Sequence, residues 1–478
     1  MIHGKLMGGL ALLVAWSTIA SADNVEYLVK LRTQSPTDTL DVLSRLEGKV
    51  DLVSSEGRLF KWSTSTEVDA ADILNTPAVE YYQKNHPIKL FANPSIEKNR
   101  NAMLEALNEG ELPIPGGMGA APQDNPEIQS PVQQSAGADP LLNNAWGLAN
   151  VGATNSWSHS PAGKGVIVAV TDTGVDYNHE DLINNMWRNP KEIPGDGIDN
   201  DNNGYVDDVV GWDFATNDNK PYDLTVDLFQ ILLGGGNPGH GTHCAGVVGA
   251  RHNNGKGASG VAPDAQIMAL RFINEKGQGD TASAVQVVDY AVKNGAKIIS
   301  ASWGSEGEEA GDMALREAIQ RAQAAGVLFV AAAGNGRQGK GYDNDADSKP
   351  VYPSSYQYDN VISVAAIDSD NNLGAFSNWG RNSVDIGAPG VKILSTVPGN
   401  QYQDTVIDLG EFLKATWDGT SMATPHVAGA LAATLSKNPE LSWQELKRTV
   451  LDGAAPATAL AGKVSTGGKL NLNFLANN

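Results

Sequence analysis

The stretch that decides the fold is Asp418-Gly-Thr-Ser-Met-Ala-Thr-Pro-His-Val-Ala-Gly429. It places Ser421 on a tight Gly-Thr turn, before an apolar run of small residues at 427–435 that predicts a buried helix. Pro425 suits the first turn of such a helix, because an N–H has no helical partner there in any case. Taken alone, Ser421 is equally consistent with a serine that only caps the helix. The choice depends on residues elsewhere in the chain.

Length, charge and cysteine content bound the class of protein. At 478 residues the chain is too long for one ordinary domain, and 41% hydrophobic residues suffice for a sizeable core. The formal net charge of -21 disfavours nucleic acid or an anionic membrane as the main partner, because both repel an acidic surface. Cys244 is the single cysteine, so no intramolecular disulfide is possible, and we expect bound calcium to supply stability instead.

The N-terminal residues predict export. Residues 1–22 carry the features of a signal peptide, namely Lys5, an apolar run at 6–19 and the small-residue site Ala20-Ser-Ala22. The apolar run is too short to span a bilayer comfortably, and a buried core helix is the alternative. We therefore expect a secreted protein, extracellular or periplasmic, with no membrane partner.

Residues 23–92 predict a small α+β unit. Its elements follow the order β-α-β-β-α-β, with strands at 25–31, 50–53, 59–62 and 79–90 and helices at 37–46 and 70–74. Residues 93–138 are rich in Pro, Gly and Gln and have no apolar period, which predicts a linker open to cleavage. One short helix, at 96–107, is expected to interrupt that linker.

Residues 139–478 predict an α/β domain. Apolar strands alternate with helices, and this pattern is typical of a mainly parallel sheet between two helical layers. The expected strands and helices are at 165–170, 265–272, 296–301, 327–332 and 361–366, and at 241–250, 281–294 and 312–325 respectively. Ligands in such folds bind beyond the carboxyl ends of the strands. Asp172 and Asn335 each follow such an end.

Four residues in distinctive surroundings offer the parts of an amide-hydrolysing site. That chemistry requires an activated nucleophile, a base, a group that orients the base, and donors for the oxyanion. Asp172 lies in Val-Thr-Asp-Thr-Gly, His240 in Gly-His-Gly-Thr-His-Cys, Ser421 in Gly-Thr-Ser-Met-Ala and Asn335 in Ala-Gly-Asn. Each also has a purely structural interpretation, as a turn, cap or helix-entry residue. Their joint presence favours the catalytic interpretation.

On these motifs, taken in the order Asp, His, Ser, the chain resembles the subtilisin-like serine proteases, or subtilases, from Asp139 onward. The resemblance implies a three-layer α/β fold with a mainly parallel sheet. It implies that Ser421 is the nucleophile, that His240 is the general base and then the acid, and that Asp172 orients His240. Asn335 and the backbone N–H of Ser421 would stabilise the oxyanion. No cofactor is expected to take part in catalysis.

The same resemblance implies a cleft for an extended peptide. Two strands would clamp the peptide by β-augmentation, one with Gly277 and Gly279 and the other with Ser302, Trp303 and Gly304. The floor of the pocket for the residue before the cleaved bond would consist of Ala332, Ala333 and Gly334. Their small side chains predict a roomy, apolar pocket.

Two groups of oxygen ligands predict structural calcium. An acidic loop carries oxygen ligands on the alternate residues Asp199, Asp201 and Asn203, before the turn glycine Gly204, as an EF-hand loop does at its start. Asp207 and Asp208 follow as further candidate ligands. Val210 stands where an EF-hand has its Glu, so the loop is not an EF-hand, but similar loops in subtilases bind calcium. A solvated acidic turn is the alternative. The resemblance also implies a second site with Asp181 and Asn254, and with Asp139 as a weaker third ligand.

The unit at 23–92 resembles the ferredoxin-like propeptide of subtilases. Such a propeptide acts as an intramolecular chaperone and inhibitor and is removed by self-cleavage. The cleavage is expected either near residue 92 or in the linker before Asp139. Two segments depart from the family pattern, at 223–236 and 400–416. Both flank the predicted site and would narrow access to it.

Together these features predict a secreted, calcium-stabilised, monomeric serine endopeptidase that acts on proteins and peptides and is made as a self-processing zymogen. Two alternatives stay open. One is a processing protease of narrow specificity, gated by the two departing segments. The other is an inactive homologue that only binds peptides.

Overall fold

The computed structural model describes residues 25–32, 46–65, 67, 78–98, 100, 125–157, 162–227, 230–232, 235–307, 312–410 and 414–476. The predicted signal peptide, the predicted helix at 70–74 and nearly all of the one at 37–46 lie outside the described residues. Much of the predicted linker lies outside them as well. Within the described part of the chain, no helix is both long and apolar enough to cross a membrane.

The first four strands form an antiparallel sheet in the order β2-β3-β1-β4: β1 (Val25–Leu31), β2 (Lys49–Ser54), β3 (Leu59–Thr64) and β4 (Val79–Lys84). The first three strands confirm the prediction. The expected extended piece at 79–90 is instead two strands, separated by Asn85 and His86, which belong to neither. The second of these, β5 (Pro87–Leu90), leaves this sheet and joins another.

The five strands predicted at 165–170, 265–272, 296–301, 327–332 and 361–366 are all present within two residues of those bounds, among sixteen strands in the later part of the described chain. The sixteen strands are β6 (Ile167–Asp172), β7 (Gly211–Asp213), β8 (Gln266–Arg271), β9 (Gln278–Asp280), β10 (Ile298–Ala301), β11 (Trp303–Glu306), β12 (Leu328–Ala332), β13 (Val351–Tyr352), β14 (Val361–Ile367), β15 (Ile386–Pro389), β16 (Ser395–Val397), β17 (Gln401–Gln403), β18 (Thr405–Asp408), β19 (Lys414–Thr416), β20 (Ala455–Pro456) and β21 (Gly468–Lys469).

A nine-stranded sheet lies at the centre of the molecule, in the order β20-β21-β15-β14-β12-β10-β6-β8-β7. Its neighbouring strands are parallel except for the edge pair β20 and β21. β6 lies between β8 on one side and β10 on the other, so the winding direction reverses at β6. A crevice opens at the carboxyl end of the strands at such a switch point. Asp172, the last residue of β6, therefore stands at the mouth of that crevice.

Helices cover both faces of this sheet, as the sequence predicts. The helices are α1 (Trp146–Asn150), α2 (Ala153–Trp157), α3 (His240–Gly249), α4 (Thr281–Lys293), α5 (Met313–Ala324), α6 (Thr420–Lys437) and α7 (Trp443–Asp452). Side chains alternate between the faces of a strand. Val168 and Val170 of β6 accordingly pack in one core with α3 and α6, whereas Ala169 packs in a second core with α4 and α5.

Capping side chains explain where three of these helices begin, and one of them is Asp312, whose side chain accepts the N–H of Leu315 at the start of α5. Asp280 caps α4 in a capping box with Ser283, and Ser442 caps α7 in the same way with Glu445. The central helix α6 has no capping side chain, and it begins at Thr420, earlier than a helix with Pro425 in its first turn would begin. Pro425 therefore lies inside the helix and not in its first turn.

Candidate active site

The ends of two elements bring the predicted base and its orienting carboxylate together. Asp172 ends β6 and His240 begins α3, and Nδ1 of His240 lies 2.7 Å from Oδ1 of Asp172. Burial by itself would lower the pKa of His240, but the Asp172 carboxylate outweighs that effect and holds the pKa well above its ordinary value. With Nδ1 turned toward Asp172, Nε2 is the nitrogen left to accept a proton.

A second buried carboxylate, Asp223, fixes the position of α3 against β6. It accepts hydrogen bonds from the hydroxyl of Thr173 at 2.8 Å and from the hydroxyl of Thr242 at 2.6 Å. Asn237 donates to Asp223, and its Oδ1 accepts the backbone N–H of His240 at 2.8 Å. The sequence analysis placed Asp223 only at the start of a departing segment that flanks the site, whereas in the structure this residue supports the position of His240.

Ser421 is the second residue of α6 and lines one cavity together with His240 and Asn335. Its hydroxyl donates to the carbonyl of Ser302 at 3.1 Å. Among the described residues, Nε2 of His240 has no hydrogen-bond partner. The Ser421 hydroxyl must therefore rotate about its Cα–Cβ bond to reach His240, and such catalytic hydrogen bonds often tighten only with substrate in place.

Pro425 frees a carbonyl beside the site. Because proline has no N–H, the carbonyl of Ser421, four residues earlier, lacks its usual helical donor. The hydroxyl of Ser302 donates to this carbonyl at 2.9 Å, and Sγ of Cys244 lies 3.5 Å from it. The carbonyl of Ser421 that Pro425 leaves without a helical donor therefore links the turn that carries Ser421 to Ser302, just after β10, and to Cys244 in α3.

Asn335 directs its amide at the backbone of Ala92, in the same chain. Nδ2 of Asn335 donates to the Ala92 carbonyl at 3.1 Å. Oδ1 of Asn335 accepts the N–H and the hydroxyl of Thr420, both at 2.9 Å. These two bonds fix the amide so that its NH2 group faces the cavity. The orienting role of Thr420 was not predicted, although this residue lies inside the Gly-Thr-Ser motif. The end of the N-terminal unit indicated a cleavage near residue 92 as one of two places, but not the contact of Ala92 with Asn335.

The predicted peptide cleft contains β5, a strand of the chain itself. β5 lies between β9 and β11 and runs antiparallel to both, in a sheet of order β13-β11-β5-β9. Leu90 is paired with Trp303, and Ile88 with Gly279. The N–H of Leu90 also donates to the carbonyl of Gly277 at 3.0 Å. The two predicted clamp strands therefore hold an extended segment by backbone pairing.

The predicted cleft residues Gly304 and Trp303 contribute to the cleft in different ways. Gly304 is paired with Lys89 and lines the cavity beside Ala92. The side chain of Trp303 is turned away into the core, where Nε1 donates to the hydroxyl of Thr171 at 3.1 Å. Trp303 therefore contributes its backbone to the cleft and its indole to the packing beneath it.

The predicted pocket floor lies in a buried layer behind Asn335. Ala332, Ala333 and Gly334 are all buried, at the carboxyl end of β12. The residues after 139 that line the cavity beside Ala92 are Gly304, Ser305, Glu306, Asn335, Gly336 and Val351. Ala92 itself is exposed, so its methyl group leaves this cavity largely unfilled.

The neighbours of His240 on α3 have structural partners. Nε2 of His243 lies 2.9 Å from the carbonyl of Ile393, and its ring stacks on Trp417 with the centroids 4.2 Å apart. Burial lowers the pKa of His243 to about 3. Cys244 is buried, with Sγ 3.8 Å from Nδ1 of His240. The imidazole of His243 is therefore uncharged at neutral pH and has a structural role, and the side chain of Cys244 packs against the predicted base His240.

The structure divides the predicted calcium loop into two parts. Asp199 and Asp201 come together with Glu192, with one carboxylate oxygen from each within 4.8 Å of the others. Oδ1 of Asp201 is buried and has no hydrogen-bond partner among the described residues. Three converging carboxylates with an unpaired buried oxygen suit a hard cation such as calcium. Glu192 lies before the acidic run, and the sequence analysis missed it.

Like Glu192 and Asp199, which accept backbone N–H groups of the loop, the other acidic residues of the loop accept hydrogen bonds, but they lie outside the cluster. Asp207 accepts two backbone N–H groups of the turn at 195–197, at 2.8 and 2.9 Å. Asp208 accepts the side chains of Asn203 and Tyr290, and burial raises the pKa of Asp208 to about 6. These residues hold the shape of the loop rather than face the carboxylate cluster.

The second predicted metal group is partly suited to a cation. Nδ2 of Asn254 donates to Oδ1 of Asp181 at 2.6 Å, while Oδ2 of Asp181 is buried and has no partner among the described residues. Burial raises the pKa of Asp181 to about 7, as expected for a carboxylate that lacks a counter-charge. Asp139 is different, because it already accepts the N–H groups of Asn253 and Asn254 and the hydroxyl of Ser259.

Comparisons with known proteins bear on the family and the fold of the chain. The family model described as "Subtilase family" matches residues 163–474. Thermitase from Thermoactinomyces vulgaris is 35% identical over 297 residues, which cover 62% of this chain and 84% of thermitase. An intracellular serine protease from Paenibacillus polymyxa is 36% identical over 320 residues, which cover 65% of this chain and 81% of that protein.

One solved structure extends the likeness to the N-terminal part of the chain. It is fervidolysin from Fervidobacterium pennivorans, described as a keratinolytic enzyme related to subtilisin. It superposes with a TM-score of 0.66 at 24% identity, over 95% of this chain and 61% of the fervidolysin chain. At that identity the likeness supports the fold alone. With the family match added, the chain belongs to the subtilase family and is a serine endopeptidase with a subtilisin-like fold.

Proposed function

We propose that Asp172, His240 and Ser421 are the catalytic triad of this protease, and that its first substrate is its own Ala92–Asn93 bond. The observation that carries the proposal is the hydrogen bond from Nδ2 of Asn335 to the Ala92 carbonyl. A donor placed on a carbonyl oxygen at 3.1 Å is the geometry that stabilises an oxyanion. The backbone pairing of β5 in the cleft supports the same register.

The proposed reaction follows from these positions. Ser421 Oγ attacks the Ala92 carbonyl carbon, and His240 Nε2 takes the hydroxyl proton while Asp172 stabilises the imidazolium. The negative charge on the Ala92 oxygen is met by Nδ2 of Asn335. His240 then gives the proton to the nitrogen of Asn93, and the C–N bond breaks. Water hydrolyses the resulting ester between Ala92 and Ser421 by the reverse sequence of proton transfers.

The contacts of the N-terminal sheet support a zymogen. Oε1 of Gln83 accepts the N–H of Ala314 at the start of α5, and Oδ1 of Asn85 accepts the N–H of Ala282 at the start of α4, both at 3.0 Å. Such bonds satisfy helix-terminal N–H groups that have no partner within the helix. The N-terminal sheet therefore stays docked after the Ala92–Asn93 bond is cut, and β5 continues to block the cleft until the sheet dissociates.

Export and calcium complete the proposal. The features of residues 1–22 support a secreted, extracellular or periplasmic enzyme. In a chain with one cysteine, calcium at the cluster of Glu192, Asp199 and Asp201 and at Asp181 would supply structural stability. The protease is proposed to act as a monomer on protein and peptide substrates.

The experiment is mass analysis of the released N-terminal fragment. We expect wild-type protein to release a fragment that ends at Ala92, whereas Ser421→Ala stays uncut and does not react with a fluorophosphonate. Ser442→Ala, which alters a capping serine of α7 outside the site, serves as the matched control and should be cut normally. An N-terminal fragment with any other C-terminus, or a cut in Ser421→Ala protein that is free of other proteases, would contradict the proposal.

A further inference from the structure

The two departing segments meet in one apolar cluster beside the site. Ile231 and Leu232, from the segment at 223–236, pack with Ile407 and Ala415, from the segment at 400–416. Each of the four is at most 7% exposed. Ile407 and Ala415 are partners across the antiparallel pair of β18 and β19. We call these four residues the insertion pocket.

A side chain from the chain itself fills the insertion pocket. Ile96 belongs to the same apolar cluster and is only 5% exposed. It lies in a short helical stretch at 94–98, which begins just after the proposed cleavage site. Relative to the bond between Ala92 and Asn93, Ile96 is the fourth residue on the leaving-group side.

The residues between the bond and the pocket turn the chain toward it. Oδ1 of Asn93 accepts the N–H of Ser95 at 2.9 Å and the N–H of Ile96 at 3.2 Å, as an N-cap side chain does. Pro94 follows at the first helical position, where proline is favoured. The sequence Asn-Pro-Ser-Ile therefore changes an extended segment into a helical turn directly after Ala92.

Hydrogen bonds between side chains of this turn and the backbone of Thr416 hold the turn on the second departing segment. Nδ2 of Asn93 donates to the carbonyl of Thr416 at 3.0 Å, and the N–H of Thr416 donates to Oγ of Ser95 at 3.2 Å. Thr416 ends β19 and is followed by Trp417, which lines the catalytic cavity beside His240. The segment after the proposed cleavage site is thus held by the polar contacts of Asn93 and Ser95 with Thr416 and, farther from the bond, by the apolar contacts of Ile96.

We propose that the insertion pocket is a substrate-selecting site that takes an aliphatic side chain four residues after the cleaved bond. The inference rests on the proposed cleavage at Ala92–Asn93 and deepens it, because it names a class of protein substrate. Those substrates turn into a helix just after the cleaved bond and carry Ile or Leu at the fourth position. An aliphatic side chain gains free energy when it leaves water for such a pocket, whereas a polar one gives up hydrogen bonds with water.

The test measures kcat/KM for matched fluorogenic peptides. The peptides have the sequence of residues 86–100, with Ile, Leu or Ser at position 96, and a fourth carries Lys98→Ser instead. Lys98 is exposed on the same turn, so its replacement is the matched control. The enzyme carries Ile96→Ser, so that its own segment does not fill the pocket. We expect the Ile and Leu peptides to be cut at least ten-fold more efficiently than the Ser peptide, and the Lys98→Ser peptide as efficiently as the Ile peptide.

Two pocket variants complete the test. The ratio of kcat/KM for the Ile peptide to kcat/KM for the Ser peptide should approach one in the enzyme variants Leu232→Ser and Ile407→Ala. Because the preference is a ratio measured within one enzyme, a loss of folded protein does not alter it. Equal cleavage of the Ile and Ser peptides, or a preference that both pocket variants retain, would overturn the proposal. A shorter peptide of residues 86–94, which lacks position 96, tests the proposed cleavage separately from the proposed selecting site. If the enzyme does not cut this peptide at Ala92–Asn93, the proposed function itself fails.

Discussion

Ser421 and Ser302 exchange two hydrogen bonds. Oγ of Ser421 donates to the carbonyl of Ser302 at 3.1 Å, and Oγ of Ser302 donates to the carbonyl of Ser421 at 2.9 Å. The first bond must break before Ser421 can attack a substrate. The second uses the backbone of Ser421 and can persist throughout the reaction. Ser302 therefore holds the turn of the proposed nucleophile without holding its hydroxyl permanently.

Ser302→Ala should destabilise the protein by about 1–3 kcal/mol, because the buried carbonyl of Ser421 loses its principal donor. The free energy of unfolding is measured by urea denaturation in a Ser421→Ala background, which prevents self-digestion. Pro425→Ala supplies the helix N–H that Pro425 lacks. We expect Ser302→Ala to cost less in the Pro425→Ala background than in its absence. If the changes in the free energy of unfolding caused by Ser302→Ala and Pro425→Ala simply add in the double variant, the two residues do not act on the same carbonyl of Ser421.

Asn335→Ala should lower kcat by about 10²–10³-fold, because an oxyanion donor is removed while the substrate still binds. Thr420→Val should cause a smaller loss, roughly ten-fold in kcat with KM little changed. This variant keeps the backbone N–H that binds Oδ1 of Asn335 and removes only the hydroxyl. Steady-state kinetics on one peptide substrate compares the two variants. Full activity of Thr420→Val would exclude an orienting role for its hydroxyl.

The pH dependence of kcat/KM should report His240. Its protonated form cannot accept the Ser421 proton, so activity is lost as the pH falls through the pKa of His240. Because that pKa is raised by Asp172, the midpoint of the rising limb should lie above the ordinary value of about 6.5. Asp172→Asn should move this limb to lower pH and reduce kcat by roughly 10⁴-fold. A limb that stays in place in Asp172→Asn would contradict the proposed pair.

Removal of calcium should lower thermal stability. If calcium binds only the folded chain, a concentration 100-fold above Kd stabilises it by about 2.7 kcal/mol. Melting curves of Ser421→Ala protein, with calcium and with a chelator, measure the difference in Tm. Asp201→Ala and Asp181→Ala should each reduce the response to calcium. Asp370→Ala, at an exposed turn, is the control and should leave the response intact.

The docked N-terminal sheet should leave faster when its ion pair with α5 is broken. Glu317 accepts Nζ of Lys30 at 2.5 Å and the hydroxyl of Tyr81 at 3.2 Å. Loss of these charged hydrogen bonds in Glu317→Ala should speed dissociation of the cleaved fragment by roughly ten-fold. The delay before peptidase activity appears measures this rate. Lys84→Ala, which removes an exposed pair with Glu67, should leave the delay unchanged.

The sequence predicted the central sheet and its helices because apolar periodicity and short motifs are local signals. It predicted Asp172, His240, Ser421 and Asn335 because each lies in a distinctive motif. It could not predict that Ala92 lies against Asn335, because that contact joins residues far apart in the chain. It placed Pro425 in the wrong turn of α6, since tertiary bonds to the Ser421 carbonyl offset the cost of a proline inside the helix.

The predicted metal ligands show the same limit. Asp199 and Asp201 lie in a contiguous acidic pattern, whereas Glu192 joins them only through the path of the loop. Asp139 has a suitable side chain, but backbone N–H groups already occupy it. Glu192 and Asp199 also accept backbone N–H groups, so the unpaired buried oxygen of their cluster is Oδ1 of Asp201. Residue type therefore identified possible ligands, whereas the clustering of their oxygens depends on the path of the loop.

The position of β5 has a further consequence for the newly made chain. Without β5, β9 and β11 would each present an open strand edge to solvent, and such edges are sites at which separate chains associate. While β5 pairs with both, the backbone groups that later receive substrate are satisfied from within. If β5 blocks the cleft as proposed, the same segment would also cover the two strand edges at which separate chains could associate.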